Sequence, residues 1–290
     1  MKKIFVIGSL NMDLVIESPY IPTAGETLTG SGFMTNCGGK GANQSAACAK
    51  LGGNVYHCGI VGNDSFGDQL INNLNSFGVN TDFIRKSDSI SSGIAVILVS
   101  EGDNRIIFDK GANGYLQLLD IEQALSIAEE GDIYLTQLEN PIDVIGEGLR
   151  LAKSKGLFTI LNPAPANADI LPYLDAVDLI TPNESELDLL GGKKALFERG
   201  ITTILTTLGS KGFEISTPDT AKKFECPKVK AVDTTAAGDT LCGGLAAGLA
   251  RGLSLDDSAR LGSTAASIAC TRRGAQQSIP TLDEVLSFKF

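Results

Sequence analysis

The residues best placed to do chemistry are the acid Asp239 and the small residues before it. The run from Thr234 to Gly238 has no bulky side chain, follows a β-like segment at 224–232, and leads into helix-like residues 240–250. A tight turn that opens a helix leaves backbone N–H groups unpaired, and the helix dipole favours an anion there. A carboxylate beside an anion site is electrostatically unfavourable unless it has a role in the chemistry. We therefore interpret Asp239 as the base that deprotonates a hydroxyl attacking a phosphoryl group.

A second glycine-rich stretch surrounds Lys40. Gly38, Gly39 and Gly41 flank this lysine, and a helix-like run rich in small residues follows at once. Glycines allow the backbone to approach a ligand closely, although a tight turn packed against a strand has the same composition. The stretch is not a Walker A loop, because Gly41 occupies the place of the Ser or Thr that would hold magnesium.

Acids and amides follow two of the apolar runs. Asn11 and Asp13 come after the first run and are two residues apart, so they share one face of an extended chain. Such a pair suits the vicinal hydroxyls of a sugar, and turn formation is the alternative. Glu139 follows another run, where it faces a ligand or serves as an acid at a helix N-terminus.

Two further polar segments also follow apolar runs. Asn183 and Glu186 are three residues apart, so at a helix start their oxygens suit hydrated magnesium, or they form a capping box. The segment 207–212 is bracketed by glycines. Its backbone N–H groups, with Thr207 and Lys211, suit nucleotide phosphates, and a hairpin turn into the next strand is the alternative.

A small-residue helix at 265–270 ends in a basic, glycine-containing segment, 271–278. Carbonyl groups at a helix end, together with Asp233, suit a monovalent cation close to the anion turn. An ordinary helix terminated by glycine, with basic residues in its last turn, is the alternative.

Alternating elements must position these residues. Strands are predicted at 4–7, 55–61, 133–137, 158–161, 179–181 and 203–207, and helices at 42–51, 66–77, 121–129, 144–155, 184–190 and 194–199. This alternation predicts a largely parallel sheet with helices on both faces, an α/β architecture. Ligands bind such sheets at the carboxyl ends of the strands.

Two segments interrupt the alternation. Residues 14–35 and 91–108 have strand-like and turn-like character without a helical pattern, and 94–108 resembles a hairpin turning at Glu101–Asn104. We predict that they pair as a small sheet over the strand ends and act as a lid that excludes water, with a plain surface insertion as the alternative. An exposed apolar face on such a sheet would favour dimerisation.

Composition excludes several classes of function. The 290 residues have a net charge of −10, which argues against a broad nucleic-acid surface. The six cysteines are scattered without a CxxC pair, which favours reduced thiols in the cytoplasm over a zinc site. The N-terminus predicts a buried strand and not a signal peptide, and no apolar segment approaches the length of a membrane span. With His57 as the single histidine, mechanisms that need a histidine triad are excluded.

Together the motifs resemble the ribokinase branch of the PfkB carbohydrate kinase family. The similarity extends from Gly8 to Ser278, and the motifs occur in family order and at similar spacing: GSLNMD, GGKGANQ, QLENP, NPAPA, TPNESE, TLGSKG, VDTTAAGDT and TRRGAQ. The resemblance implies a single kinase domain over 1–290, a three-layer α/β/α sandwich with a mainly parallel central sheet and a small β-sheet lid. It also implies ATP-dependent phosphorylation of the 5-hydroxyl of D-ribose, and a homodimer formed through the lid.

The resemblance assigns roles to individual residues. Asp239 matches the catalytic base, and Ala236, Ala237 and Gly238 match the anion hole. The positions matching sugar ligands are Asn11, Asp13, Gly39, Lys40, Asn43, Glu139 and Asp239. Those matching nucleotide contacts are Asn183, Thr207, Leu208, Gly209, Ser210, Lys211, Gly212, Gly238, Asp239 and Ser263. Asn183 and Glu186 match the magnesium pattern. Those matching the potassium loops are Asp233, Thr235, Ala269, Arg272, Gly274 and Ser278.

The chain departs from the family pattern on the nucleotide side. The segment 190–201 is short, and Ser263 stands where a larger polar residue often lies against the base. Alternative substrates are deoxyribose, a nucleoside or another furanose, and the alternative outside enzymes is an inactive sugar sensor. Asp13 favours ribose, because deoxyribose would leave its carboxylate partly unpaired. Phe33 and Tyr20 are too few aromatic residues to predict a nucleoside pocket.

Overall fold

Nine strands form one mostly parallel sheet in a computed structural model that describes residues 1–100 and 103–288. Their order across the sheet is β13-β12-β11-β10-β9-β8-β1-β4-β5, and the pairs involving β12 are antiparallel. The strands are β1 Lys3–Ile7, β4 Asn54–Gly62, β5 Asn80–Ser87, β8 Ile133–Thr136, β9 Phe158–Leu161, β10 Leu179–Ile180, β11 Thr203–Thr207, β12 Phe213–Ser216 and β13 Ala221–Phe224.

Helices cover both faces of this sheet. They are α1 Lys40–Lys50, α2 Ser65–Ser76, α3 Leu118–Ala124, α4 Ile142–Ser154, α5 Glu184–Leu189, α6 Gly192–Glu198, α7 Ala237–Ala250, α8 Leu255–Ala269 and α9 Leu282–Ser287. The central strand β1 shows why two cores form. Ile4 and Val6 belong to the core that contains α1, α7 and α8, whereas Phe5 and Ile7 belong to the core that contains α3 and α4. Successive strand residues point to opposite faces, so the predicted three-layer α/β/α arrangement is confirmed.

A separate four-stranded sheet, the small sheet, lies beside this core. Its strands are β2 Asn11–Glu17, β3 Ser31–Gly38, β6 Gly93–Ser100 and β7 Asp103–Asp109, in the order β3-β2-β6-β7. The strands extend beyond the predicted segments 14–35 and 91–108, because β2 begins at Asn11 and β3 continues to Gly38. Glu101 and Gly102 of the predicted hairpin turn lie outside the described residues. Asn11 and Asp13 are thus part of the small sheet itself.

All six predicted strands of the large sheet are present, and two other predictions need correction. The β-like segment 224–232 is wrong beyond Phe224, where β13 ends. Pro227 lies in that segment and lacks the N–H group that a strand ladder requires. The helix predicted at 121–129 instead spans Leu118–Ala124 and continues as a 3₁₀ turn over Leu125–Ile127. Within the described residues, every helix lacks the length or the apolar character needed to cross a bilayer.

Candidate active site

The carboxyl ends of the central parallel strands meet beside the N-termini of α1 and α7. Ser9 follows β1, Glu139 follows β8, Asn162 follows β9 and Asn183 follows β10. The strand order reverses at β1, whose neighbours are β4 and β8. Such a point in a parallel sheet forms a crevice for ligands.

Asp239 lies in the first turn of α7 and is only 5% exposed. Its Oδ1 accepts a hydrogen bond from Gln44 Nε2 and its Oδ2 accepts one from Asn43 Nδ2, both at 3.0 Å. The carboxylate therefore points into the site, fixed by two amides from α1. Charge-assisted hydrogen bonds of this kind are the stronger ones in proteins.

The turn ahead of Asp239 has a backbone conformation that small residues tolerate. Ala236 caps α7 with a φ of 58°, in the left-handed region that costs a non-glycine residue about 1–2 kcal/mol. The bond from Thr240 N to Ala236 O, at 2.8 Å, begins the helical ladder, so the N–H groups of Gly238 and Asp239 precede it. The N–H of Ala237 makes a longer turn bond of 3.2 Å to Thr234 O. This N-terminus can hold an anion.

Lys40 supplies positive charge beside Asp239. The negative charge of Asp239 raises the pKa of Lys40, burial opposes that rise, and the carboxylate of Glu139 adds to it. The backbone N–H of Lys40 donates to Glu139 Oε2 at 3.1 Å. Lys40 is therefore held as a cation between two acids.

Glu139 and Asp13 form the sugar side of the predicted site. Glu139 accepts hydrogen bonds from Ser9 Oγ and, at 3.4 Å, from Asn11 Nδ2. Burial, followed by the nearby charge of Glu139, raises the pKa of Asp13 to about 7. A Cβ at Gly38 would lie 2.6 Å from Asp13 Oδ2, so the absence of a side chain there makes room for the carboxyl group. The alternative role of Glu139 as an acid in the first turn of α4 is wrong, because Asp143 occupies that turn.

Two neighbouring cavities border the N-terminus of α7. A cavity of about 260 Å³ is lined by Lys40, Asn183, Glu186 and Asp239 among others, and one of about 470 Å³ by Gly209, Ser210, Gly212 and Ser263 among others. Both are lined in part by Thr207, Thr234, Ala237 and Gly238. The structure thus brings most of the predicted nucleotide residues together around one pair of cavities.

Two predicted nucleotide residues lie outside this pair. Leu208 lines a different cavity, beside Lys193 and Glu214, and Lys211 is exposed. The hairpin alternative for 207–212 is present, because β11 and β12 are antiparallel neighbours joined by this turn. A turn of this kind is compatible with contacts to phosphate through its other residues.

Asn183 and Glu186 form a capping box at the start of α5. Asn183 Oδ1 accepts from the Glu186 N–H and Glu186 Oε2 accepts from the Asn183 N–H, both at 2.8 Å. Burial raises the pKa of Glu186, although its capping bond from Asn183 opposes the rise. Both residues still line the smaller cavity, and carboxylate and amide oxygens are suitable outer ligands for hydrated magnesium.

The two segments of the predicted cation site are in contact. Asp233 Oδ2 accepts from Gly274 N at 3.0 Å, and Asp233 Oδ1 accepts from the N–H and the hydroxyl of Thr235. Burial works against ionisation of Asp233, but these bonds outweigh it and the pKa lies below its ordinary value. Arg272 N bonds Ala269 O, and Ser278 Oγ bonds Ala275 O. The ionised carboxylate of Asp233 supplies the negative charge that a monovalent cation site would need.

Sequence reasoning did not assign three buried polar residues of the site. Gln44 bonds Asp239, Asn162 accepts from Gln44, and Asn113 Nδ2 donates to Asn11 Oδ1 at 2.8 Å. Gln44 was detectable, since positions 40, 43 and 44 are three and four apart and share a helix face. Asn113 and Asn162 are distant in sequence, and only the fold brings them to the site.

Comparisons with known proteins show which proteins the chain is similar to. The model of the pfkB family carbohydrate kinases matches residues 1–282. The chain is 38% identical to the ribokinase of Haemophilus influenzae, with 99% of this chain and 98% of the relative covered. It is 34% identical to the deoxyribokinase of Salmonella typhimurium, with coverages of 97% and 96%. The structure of Arabidopsis thaliana ribokinase complexed with ribose and ATP matches with a TM-score of 0.88 and 29% identity, covering 99% of both chains.

Proposed function

The chain belongs to the pfkB family of carbohydrate kinases, and we propose that it transfers the γ-phosphoryl group of ATP to the 5-hydroxyl of D-ribose. The products are D-ribose 5-phosphate and ADP, which would feed ribose catabolism. One observation supports this most directly. The buried carboxylate of Asp239 is bonded to Asn43 of the predicted sugar set and borders the cavity that contains the predicted phosphate residues.

Asp239 would act as the general base. Phosphoryl transfer depends mainly on positioning and charge stabilisation, and the protein performs little covalent chemistry of its own. The carboxylate orients the sugar hydroxyl and accepts its proton as the oxygen attacks phosphorus. The turn of Ala236, Ala237 and Gly238, at the positive end of α7, would stabilise the charge that develops on the transferred group.

The sugar would bind between the small sheet and α1. Asn11, Asp13 and Glu139 offer oxygens and an amide to the hydroxyl groups, and Gly39, Lys40 and Asn43 complete the proposed set. Gly39 has a φ of 91°, and a Cβ there would lie 2.8 Å from Asn11 N. Glycine therefore lets α1 begin directly against the strand that carries the sugar ligands.

ATP would occupy the two neighbouring cavities. The larger one, at about 470 Å³ with Ser263 on its wall, would take the nucleoside. The smaller one would take the phosphates, close to Lys40 and Asn183. The proposed nucleotide turn consists of Thr207, Leu208, Gly209, Ser210, Lys211 and Gly212. Gly238 lies where the two cavities adjoin.

A magnesium ion and a potassium ion complete the proposal. Asn183 and Glu186 would hold hydrated magnesium, which supplies positive charge to the phosphates when bound. The potassium site would be formed, mostly through carbonyl groups, by Asp233, Thr235, Ala269, Arg272, Gly274 and Ser278. Its closeness to the turn before α7 would make catalysis sensitive to that cation.

The small sheet would act as a lid and as a dimer contact. Several of its apolar side chains are exposed, among them Phe33 at 66%, Ile106 at 58% and Ile107 at 76%. Phe33 lies on β3 and the two isoleucines lie on β7, the two edge strands of the small sheet. Exposed apolar residues on unpaired edges favour association. We propose a homodimer formed through this sheet in the cytoplasm, with neither nucleic acid nor a membrane as a partner.

Alternative substrates are deoxyribose, a nucleoside or another furanose. One relative is a deoxyribokinase, so recognition of the 2-hydroxyl group decides between ribose and deoxyribose as the substrate. Asp13 favours ribose, because its carboxylate can accept from vicinal hydroxyls that deoxyribose lacks. A catalytically inactive sugar sensor is disfavoured, since both the base and the anion turn are present.

The decisive experiment is an ADP-release assay with ribose, deoxyribose, fructose, adenosine and no sugar, each with and without potassium. We expect the highest kcat/KM with ribose and stimulation by potassium. Activity confined to adenosine would overturn the substrate assignment, and ADP release that is independent of any sugar would overturn the kinase assignment.

A further inference from the structure

We propose that Gln44 is a positioning residue for the catalytic base, and that Gln137 sets the direction of the Gln44 amide. This inference rests on the proposed role of Asp239. Gln44 lines neither of the two cavities, so its proposed role is to act through Asp239.

Gln44 is fully buried in α1 and its amide nitrogen serves two acceptors. Nε2 donates to Asp239 Oδ1 at 3.0 Å and to Asn162 Oδ1 at 3.1 Å. An ionised carboxylate only accepts hydrogen bonds, so the NH₂ group of Gln44 must face Asp239. A reversed amide would place its oxygen against the carboxylate.

Gln137 supports the same direction, because its Nε2 donates to Gln44 Oε1 at 2.6 Å. Gln137 itself is 1% exposed and lies directly after β8. A chain of donors therefore runs from Gln137 through Gln44 to Asp239. Gly8 makes room for it, because a Cβ at Gly8 would lie 2.2 Å from Gln137 Oε1.

The two oxygens of Asp239 thus have separate supports. Asn43 holds Oδ2 and belongs to the proposed sugar set, whereas Gln44 holds Oδ1 and has its other bonds with Asn162 and Gln137, which lie outside that set. Gln44 can therefore orient the base without itself binding the sugar. Lys40 from α1 and Glu186 from α5 are charged groups that interact electrostatically with Asp239. Cys242, one turn further along α7, is kept a neutral thiol because burial, together with the charge of Asp239, raises its pKa to about 12.

Two substitutions at Gln44 should have opposite pH behaviour. Gln44→Met keeps the length of the side chain but removes the hydrogen-bond donor, which disfavours the ionised form of Asp239. We expect kcat to fall about 10- to 100-fold, and the acid limb of the pH profile of kcat to move to higher pH. Gln44→Glu places two carboxyl groups together. They share one proton, which restores a donor at low pH, so this variant should lose activity as the pH rises.

Thr159→Val is the matched control. Thr159 is fully buried on β9, and its hydroxyl donates to Ala176 O at 2.6 Å and not to Asp239 or to either amide that holds it. We expect this variant to retain the parent shape of the pH profile of kcat. The same pH changes in Thr159→Val and Gln44→Met would show a general effect of losing a buried donor and would overturn the proposal.

The measurement is kcat from pH 5 to 9 at saturating ribose and ATP, with melting temperatures to establish folding. If Gln44→Met fails to fold, the Gln44→Glu profile decides, and the absence of an alkaline decline overturns the proposal. Asp239→Asn separates the two claims. An active Asp239→Asn enzyme rejects the base itself, whereas an inactive one combined with parent-like Gln44 variants rejects only the positioning role.

Discussion

Asn43 and Asp239 are joined by a 3.0 Å hydrogen bond, although 196 residues separate them in sequence. The bond links α1 to α7, both of which begin at the carboxyl edge of the sheet. The helix that carries proposed sugar ligands and the helix that carries the proposed base are thereby held together by a hydrogen bond between two buried side chains. In the proposed mechanism, substrate positioning and proton transfer depend on the same contact.

Replacing Asp239 by Asn should lower kcat about 100-fold or more, the usual scale of general base catalysis. The substitution keeps the shape but removes the proton acceptor, and it sets an amide against the donors of Asn43 and Gln44. Single-turnover rates and steady-state kcat measure the loss. An unchanged melting temperature would show that the variant is folded, and near-normal turnover would reject Asp239 as the base.

The affinity for sugar should weaken as the pH falls through about 7, because the pKa of Asp13 lies there. Protonation removes the carboxylate acceptor that the sugar hydroxyls need, so the KM for ribose should rise below pH 7. Asp13→Asn should have a high KM that varies little between pH 6 and 8. A variant with the parent pH dependence would show that another group controls it.

Asp13 should also lower stability at high pH. Its pKa is raised from an ordinary value of 3.8 to about 7, so between these values the folded protein binds more protons than the unfolded chain. Stability should therefore fall as the pH rises through this window. Asp13→Asn should raise the melting temperature at pH 8 and change it little at pH 4. An equal change at both pH values would contradict this origin.

The sequence predicted most of the fold and the acid at its centre, for physical reasons that are visible in particular residues. The alternation of apolar runs defined the strands, and the small residues before Asp239 identified the turn. Gln137 and Asn113 could not be assigned, because their partners are set by strand order and not by spacing. The prediction of a strand beyond Phe224 was wrong because it followed the strand-like composition of the segment. Pro227 lacks the N–H group that a strand ladder requires.

Gly39→Ala should damage the sugar site. A Cβ there would lie 2.8 Å from Asn11 N and 2.8 Å from Ser9 O, so the backbone must shift. We expect kcat/KM for ribose to fall about tenfold or more, since a displacement of about 1 Å can cost about 100-fold. Gly78→Ala is the matched control, with a φ of 83° and open space around the added Cβ. Equal kinetic losses in both variants would indicate backbone strain alone.

Asp233→Asn should weaken activation by potassium. The carboxylate closes the loop pair through Gly274 and Thr235, and its loss removes the negative charge of the proposed cation site. We expect the potassium concentration for half-maximal activation to rise about tenfold, as for the loss of about 1.4 kcal/mol of binding. Titrations of activity with KCl measure it. Asp219→Asn, at an exposed acid, controls for net charge, and a parent-like response in Asp233→Asn would reject the site.

Ile107→Asp should weaken the proposed dimer. Ile107 lies on β7, an edge strand of the small sheet, and its side chain is 76% exposed, so the substitution leaves the folded monomer largely unperturbed. In a dimer formed through this sheet, the new carboxylate would lose hydration without a partner.

The dissociation constant of the dimer should then rise about tenfold or more, measured as mass against concentration by light scattering. Leu189→Asp is the matched control, because Leu189 is similarly exposed at 71% but lies on α5. A dimer that resists Ile107→Asp but dissociates with Leu189→Asp would place the interface on the α5 side. In that case the apolar side chains of the small sheet would need another explanation, and closure of the lid would be independent of subunit association.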